Sequence, residues 1–359
     1  MKSGVSKLSH LFNVLVDILR AEIWILDGFE ESTNQPLKIL VSAEETQKNY
    51  VSKIAFNNSC KESYIGKKYF WHLYYLIRKN KNNCSLAIIE GDVLHRYLYE
   101  NKNDFYIPIW LKSSAKIPLV VNNRSSKEDL RRIRKNRLDY IISKEPEQLN
   151  DFYYNMYLPS VKSRHQERTI VMEFDKMMQK VKEGHCKLLL VTKDGATIAG
   201  VVIMISGGMP RLWSNGIRDA NPIYWKDRAI AATYYFSSQY LAEQGYNQMH
   251  IGLSRSFLSD GILQLKKKWN SQVIAWDRKG FIIKPLKISN GAKGFFINNP
   301  FVHISRNKPY GAVFVAEDQQ CSDETFNQLQ SKYYQGGLSE LNIFSIDDNY
   351  KKVHTVSHS

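Results

Sequence analysis

The chain has 359 residues, a formal net charge of +15 and a sequence pI of about 9.4, with 43% hydrophobic and 12% aromatic residues. That length and apolar content exclude wholesale disorder and allow a large core, usually as two domains. The basic balance favours an anionic partner: nucleic acid, a membrane surface, a coenzyme phosphate or an anionic polymer.

Leu8, Leu11, Phe12, Leu15, Ile18 and Leu19 have the spacing of an amphipathic helix over about 5–20. Asp17, Arg20, Glu22 and Asp27 interrupt the apolar run, so neither a membrane span nor a cleavable leader is expected. Strands follow near 22–27 and 37–41. Ser42 with Glu45 predicts a capping box opening a helix over 43–56. Another helix is expected over 67–79, ended by Asn80-Lys-Asn-Asn83. Ser85–Ile89 reads as a buried strand. Phe105–Leu111 reads as another, at an edge or bulge because Pro108 donates no ladder hydrogen bond. Residues 112–126 are polar. Ser126 is a cap for a helix carrying Arg131, Arg132, Arg134, Lys135 and Arg137, with Leu130, Ile133 and Leu138 as its anchor. A short strand at 140–142 precedes a helix over 146–156, broken by Tyr157-Leu-Pro159, and a helix over 174–182 ends at Gly184.

The pattern is clearer from Lys187. Leu188–Thr192 and Thr197–Ile205 flank Asp194-Gly195, a strong hairpin turn. Gly207-Gly208 turns into a strand over 211–215. A helix over 224–244 stops at Gly245, and Gln248–Gly252 is the next strand. A loop then closes on Lys266-Lys267-Lys268-Trp269. Further strands are expected at 272–276, 281–287 and 311–315, and a polar tail holds His354 and His358. Cys60, Cys84, Cys186 and Cys321 lack metal-site spacing and disulfide density, so reduced thiols in a cytoplasmic protein are expected. No zinc-ligand spacing, G-x-S-x-G elbow, Walker loop or RNP motif occurs.

Hairpin, strand, helix, strand is the core order of the GNAT fold. Trp213-Ser-Asn-Gly216, Tyr224-Trp225, Gly245-Tyr246, Ile251-Gly-Leu-Ser254 and Asp260-Gly-Ile-Leu-Gln-Leu-Lys-Lys-Lys-Trp269 resemble the C-terminal half of FemAB-like acyltransferases. In that family a G-x-S-like turn precedes an F-K-x-x-[FW]-G signature; here Leu265 stands for Phe and Asn270 for Gly. Arg124–Arg137, Phe152-Tyr-x-x-Met-Tyr157 and Arg164-His165 are similar to its linker and second-domain entry. The resemblance spans roughly 120–310. It implies an α/β protein of tandem GNAT-like domains, each a mixed central sheet flanked by helices: a degenerate first domain over 1–120, an acyltransferase domain over 121–345 and a mobile tail over 346–359.

The implied activity is acyl transfer from acyl-coenzyme A to an amine of an amino sugar or cell-envelope precursor, without a metal. No long antiparallel helical arm of the kind carried by aminoacyl-tRNA users is evident between 165 and 310, which favours coenzyme A. An aminoacyl-tRNA-dependent ligase and a non-catalytic scaffold binding an anionic polymer remain open, as does the oligomeric state. A cleft is expected between the strand end at 213 and the segment ahead of Trp269. Lys266 matches the signature lysine and is expected to polarise donor or acceptor. Asp260 or His165 would take the amine proton. Trp213, Asn215, Arg164 and Arg255 are candidate substrate contacts. Lys226 and Arg228 stand at the phosphate-loop position, where Ala229 and Ala231 replace glycines and their Cβ atoms restrict a phosphate's approach.

Overall fold

The computed structural model of the protein describes residues 20–56, 59–101, 103–165, 172–205, 207–316, 323–346 and 352–357. The amphipathic stretch expected over 5–20 therefore lies outside the described residues except for Arg20. Along the chain, β1 (Arg20–Phe29), β2 (Pro36–Ser42), α1 (Glu45–Phe56), β3 (Cys60–Tyr69), α2 (Phe70–Asn80), β4 (Leu86–Gly91), α3 (Val93–Tyr99) and β5 (Phe105–Pro108) come first. Then come β6 (Trp110–Lys116), α4 (Arg124–Lys135), β7 (Leu138–Ser143), α5 (Pro146–Phe152), a π-helical turn (Tyr153–Tyr157), α6 (Leu158–His165) and α7 (Phe174–Lys182). Next are β8 (Cys186–Lys193), β9 (Ala196–Met204), β10 (Arg211–Ile217), α8 (Pro222–Lys226), α9 (Ala229–Glu243), β11 (Gln248–Arg255) and α10 (Gly261–Lys268). The chain continues through β12 (Gln272–Trp276), β13 (Gly280–Pro285), α11 (Asn290–Asn298), β14 (Phe301–Ser305), β15 (Lys308–Val315), α12 (Asp323–Tyr333), β16 (Glu340–Ser345) and β17 (Lys352–Ser357).

The fold is α/β, with mixed sheets flanked by helices. Six strands run in the order β3-β1-β2-β4-β13-β5, seven in the order β12-β6-β11-β10-β9-β8-β7, and four in the order β14-β15-β16-β17. Each sheet contains one parallel pair: β2 with β4, β10 with β11, and β15 with β16. The expected boundary at residue 120 does not separate the sheets. β6 belongs to the seven-stranded sheet, and β13 returns to the N-terminal one. The two crossing segments run side by side, tied by Ile109 N–H to Lys279 O at 3.0 Å and Asp277 N–H to Trp110 O at 2.9 Å. A single apolar core joins β2, β4 and β5 to the four-stranded sheet, and the Phe105 ring meets Phe301, Phe314 and Phe344 edge-on.

Several local expectations change. Pro108 does end an edge strand, but the run 105–111 is split between two sheets there. The helix expected from 67 begins at Phe70, because Lys67–Tyr69 still pair with β1. Ser42 does not cap α1; its buried hydroxyl has no hydrogen-bond partner among the described residues. α4 is capped by Asn123, whose Oδ1 accepts from Ser126 N–H at 2.8 Å. Tyr157-Leu-Pro159 does not end the helix begun at Pro146. A π turn intervenes, with Leu158 N–H bonded to Tyr153 O, and shifts the carbonyl register with which the Pro159 ring would otherwise clash. Lys352–Ser357, expected in a mobile tail, pairs with β16 as β17.

The π turn matters because it lies against β10. A Cβ on Gly216 would sit 2.4 Å from the Met156 backbone, so only glycine admits this approach. Ser160 Oγ accepts from Ile217 N–H at 2.8 Å, and the Arg218 guanidinium reaches both carboxylate oxygens of Asp151. Gly216→Ala should therefore lower stability by about 1–3 kcal/mol, read as a lower urea midpoint. Gly261→Ala, with nothing within 4 Å of its added Cβ, is the control and should leave the midpoint unchanged or raise it.

Candidate active site

β10 and β11 share one parallel register pair, Arg211 with His250, where His250 N–H donates to Pro210 O at 2.8 Å. Beyond it the strands part. β10 is bulged against β9 between Leu212 and Ser214, and β11 against β6 between His250 and Leu253. A bulge bends its strand and raises its twist; bulges at the same level on both strands turn the facing edges away from each other. Gly252, at φ +81°, takes the left-handed conformation within the second bulge.

The gap is a pocket of about 520 Å³. Its lining includes Trp213 and Asn215 of β10, Trp225 of α8, Gly252 of β11, and Asp260 and Ile262 at the start of α10. The strand end at 213 and the segment ahead of Trp269 thus face each other. That segment is the helix α10 rather than a loop.

Asp260 caps α10: Oδ1 accepts from Ile262 N–H at 3.0 Å and Leu263 N–H at 2.9 Å. Oδ2 makes no hydrogen bond among the described residues, and Asp260 is one of the residues lining the pocket. Burial pushes the Asp260 carboxyl above the usual carboxylate range, opposed by the capping amides and by the charges of Lys266 and Arg255.

The lysine run does not form one basic patch, because successive residues on a helix point about 100° apart. Lys266 is fully buried and donates from Nζ to Gly252 O at 2.8 Å, so it meets the pocket through the Gly252 backbone and not directly. Burial brings its pKa down to about 7, with the Asp260 charge opposing. Lys267 donates to Ser331 O, and burial brings it to about 8. Lys268 pairs with Asp129. Trp269 packs in the core of the seven-stranded sheet.

Asp129 is 1% exposed and lies between Lys268 and Arg228, the latter at 3.1 Å. Arg228, expected on a phosphate, is instead committed to this buried carboxylate. It adopts φ +71° ahead of α9. Lys226 offers its carbonyl to Arg132 at 3.3 Å. Arg255 is corrected in the same way. Its guanidinium lies between the Tyr50 ring at 4.0 Å and the Trp110 ring at 4.2 Å and donates to Gln47 Oε1 at 3.0 Å, joining α1 to β11. The side chains of Arg164 and His165 lie outside the described residues. Sequence reasoning missed Asp129, an acid within a basic helix, and Tyr234 and Ile230, which line the pocket from α9. The apolar first turn of α9 was the available signal for the latter two.

No family model and no curated protein matches the chain. Among solved structures it is similar to FemX, at 12% identity over 76% of this chain and 86% of that one, with a TM-score of 0.38. It is similar to L-PGS from Bacillus licheniformis, at 12% identity over 76% and 88%, TM-score 0.36. It is also similar to a GCN5-related N-acetyltransferase from Kribbella flavida, at 11% identity over 90% and 71%, TM-score 0.29. Likenesses this distant do not bear on activity, which must come from the geometry.

The buried amine has a measurable signature. A lysine whose pKa falls from 10.5 to about 7 on folding binds fewer protons in the folded than in the unfolded chain between those values. Stability therefore rises with pH across that window. Urea midpoints measured from about pH 7 to about pH 9.5 should climb in the wild type. The climb should be much shallower in Lys266→Met, where only the smaller contribution of Lys267 remains. Equal slopes would mean that Lys266 stays charged in the fold.

Proposed function

We propose that the protein is an N-acyltransferase that moves an acyl group from acyl-coenzyme A to an amine, the acceptor being an amino sugar or a related cell-envelope precursor. The observation that carries this reading is the parting of β10 from β11 around a pocket that Asp260 helps to line. Strand edges that leave a ladder keep N–H and C=O groups available, and an extended arm bearing amides fits such a slot as an added strand does. The pantetheine portion of coenzyme A has that form. Leu212, Ile230 and Ile251 supply apolar walls for it.

The phosphate end fits less closely. Arg228 is held by Asp129, and the Cβ atoms of Ala229 and Ala231 narrow the helix start. Lys226 and the first-turn amides of α9 are left to meet the pyrophosphate.

In the reaction the neutral amine attacks the thioester carbonyl carbon. The C–S bond then breaks, an amide forms and the sulfur departs. Asp260 accepts the proton lost by the amine and the departing thiolate recovers it, so the step balances without another reactant. Burial of Asp260 makes it a stronger base than an exposed carboxylate. Lys266 acts at one remove, as a positioning residue that holds the Gly252 carbonyl.

An aminoacyl-tRNA donor is the second reading. It is favoured by Arg124, Lys127 and Arg131 around an open hollow on α4, where Glu128 pairs with Arg131 and Arg132, and by the bond from Arg132 to the Lys226 carbonyl, which joins that basic helix to the crossover beside the pocket.

Calorimetric titration with acetyl-coenzyme A and with charged tRNA, each at low and high salt, separates the readings. Saturable, weakly salt-dependent coenzyme binding supports the first, and steeply salt-dependent tRNA binding the second. Binding of neither leaves a non-catalytic scaffold. Asp260→Asn keeps a capping side chain but removes the base, so turnover should fall at least ~100-fold. The rising limb of kcat/KM, placed above ordinary carboxylate pKa values in the wild type, should vanish with it. Unchanged turnover would exclude Asp260 as the base.

A further inference from the structure

α2 carries an unusual outer face. Leu73 and Ile77 turn inward onto the N-terminal sheet. Trp71, Tyr74, Tyr75, Arg78 and Lys79 occupy the opposite arc at helical spacing, all exposed, with Trp71 at 52% and Tyr75 at 61%. α2 contains no acidic residue. α3 extends the surface: the Tyr99 hydroxyl donates to Phe70 O, and the rings of Phe70 and His95 meet edge-on at 6.4 Å. Beside these contacts Leu94, Tyr97 and Leu98 stand exposed, Tyr97 at 86%. On the other flank β3, an edge strand, exposes Lys67 and Lys68, which alternate between its two faces. The Tyr69 ring stacks on Trp71 at 4.6 Å, and the Arg20 guanidinium covers Tyr69 at 4.7 Å, so Trp71, Tyr69 and Arg20 form one aromatic and basic surface.

Exposed Trp and Tyr rings beside Lys and Arg, with leucines between them, match the chemistry of a bilayer interface, where rings lie at headgroup depth and cations meet phosphates. The aliphatic Leu94 and Leu98 suit acyl chains and offer nothing for a base to stack on. The net charge of +15 adds long-range attraction to an anionic surface. Among the described residues no helix is long and apolar enough to cross a membrane. We infer that the α2–α3–β3 face docks the protein peripherally on an anionic phospholipid surface. This inference does not depend on the acyl-transfer reading.

The test is co-sedimentation of the full chain with phosphatidylcholine vesicles and with vesicles containing roughly a third phosphatidylglycerol. The wild type should partition at least ~10-fold more strongly to the anionic vesicles, and added salt should weaken this binding. Trp71→Ala with Tyr97→Ala should reduce it at least ~10-fold, while far-UV circular dichroism stays as in the wild type and Trp71→Phe, which keeps a ring on Tyr69, with Tyr97→Ala gives an intermediate loss. Lys67→Glu with Lys68→Glu should abolish the preference for anionic lipid. The inference is overturned if the wild type fails to sediment with either vesicle or if the variants sediment as the wild type does. It is also overturned if the same ring substitutions abolish a dimer, or binding to a single-stranded oligonucleotide, while leaving vesicle binding intact.

Discussion

Everything at the candidate site depends on a parallel strand pair that bonds once, at Arg211 and His250, and then separates. Neighbouring strands ordinarily stay hydrogen-bonded along their length, since a buried N–H or C=O without a partner costs about 1–3 kcal/mol. Here bulges on both strands turn the edges apart and leave backbone groups without a strand partner. The Gly252 carbonyl takes a hydrogen bond from the buried Lys266 amine, whose lowered pKa reflects the cost of removing it from water. A lysine expected from the sequence to polarise a substrate thus holds the backbone beside the opening instead.

The surrounding elements keep that opening in place through polar struts between distant parts of the chain. Asp129 of α4 lies between Arg228 ahead of α9 and Lys268 at the end of α10. Asn123 joins the same assembly by donating to Lys268 O at 2.7 Å while capping α4. Arg255, stacked between Tyr50 and Trp110, secures β11 to the N-terminal sheet. On the far side, Gly216 lets the π turn meet β10 backbone to backbone. The ion pairs at Asp129 set charges against one another in a poorly solvated place, so removing one partner leaves the other exposed to that cost.

The third sheet explains how a seven-stranded sheet with a gap remains anchored. Val302, Val313 and Leu341 pack with Leu258 and Leu263 of the segment that carries Asp260. The same small sheet places Phe301, Phe314 and Phe344 around Phe105 beneath the N-terminal sheet. The wall of the pocket and the N-terminal lobe therefore rest on one apolar layer.

The sequence alone determined features whose causes lie within a few residues. The Asp194-Gly195 hairpin, the strands on either side of it and the crossover from β10 to β11 follow from turn preference and periodicity. Trp213 and Asn215 were legible as part of a strand, whereas the segment holding Asp260, expected as a loop, is the start of a helix that Asp260 caps. Tertiary structure decided the rest. It placed β13 in the N-terminal sheet, split 105–116 between two sheets, and gave Lys266, Lys267 and Lys268 three separate partners. It also committed Arg228 and Arg255 to the protein itself. A lysine or arginine has the same local preferences on a surface as in a core; only the group that packing brings against it determines what its charge does.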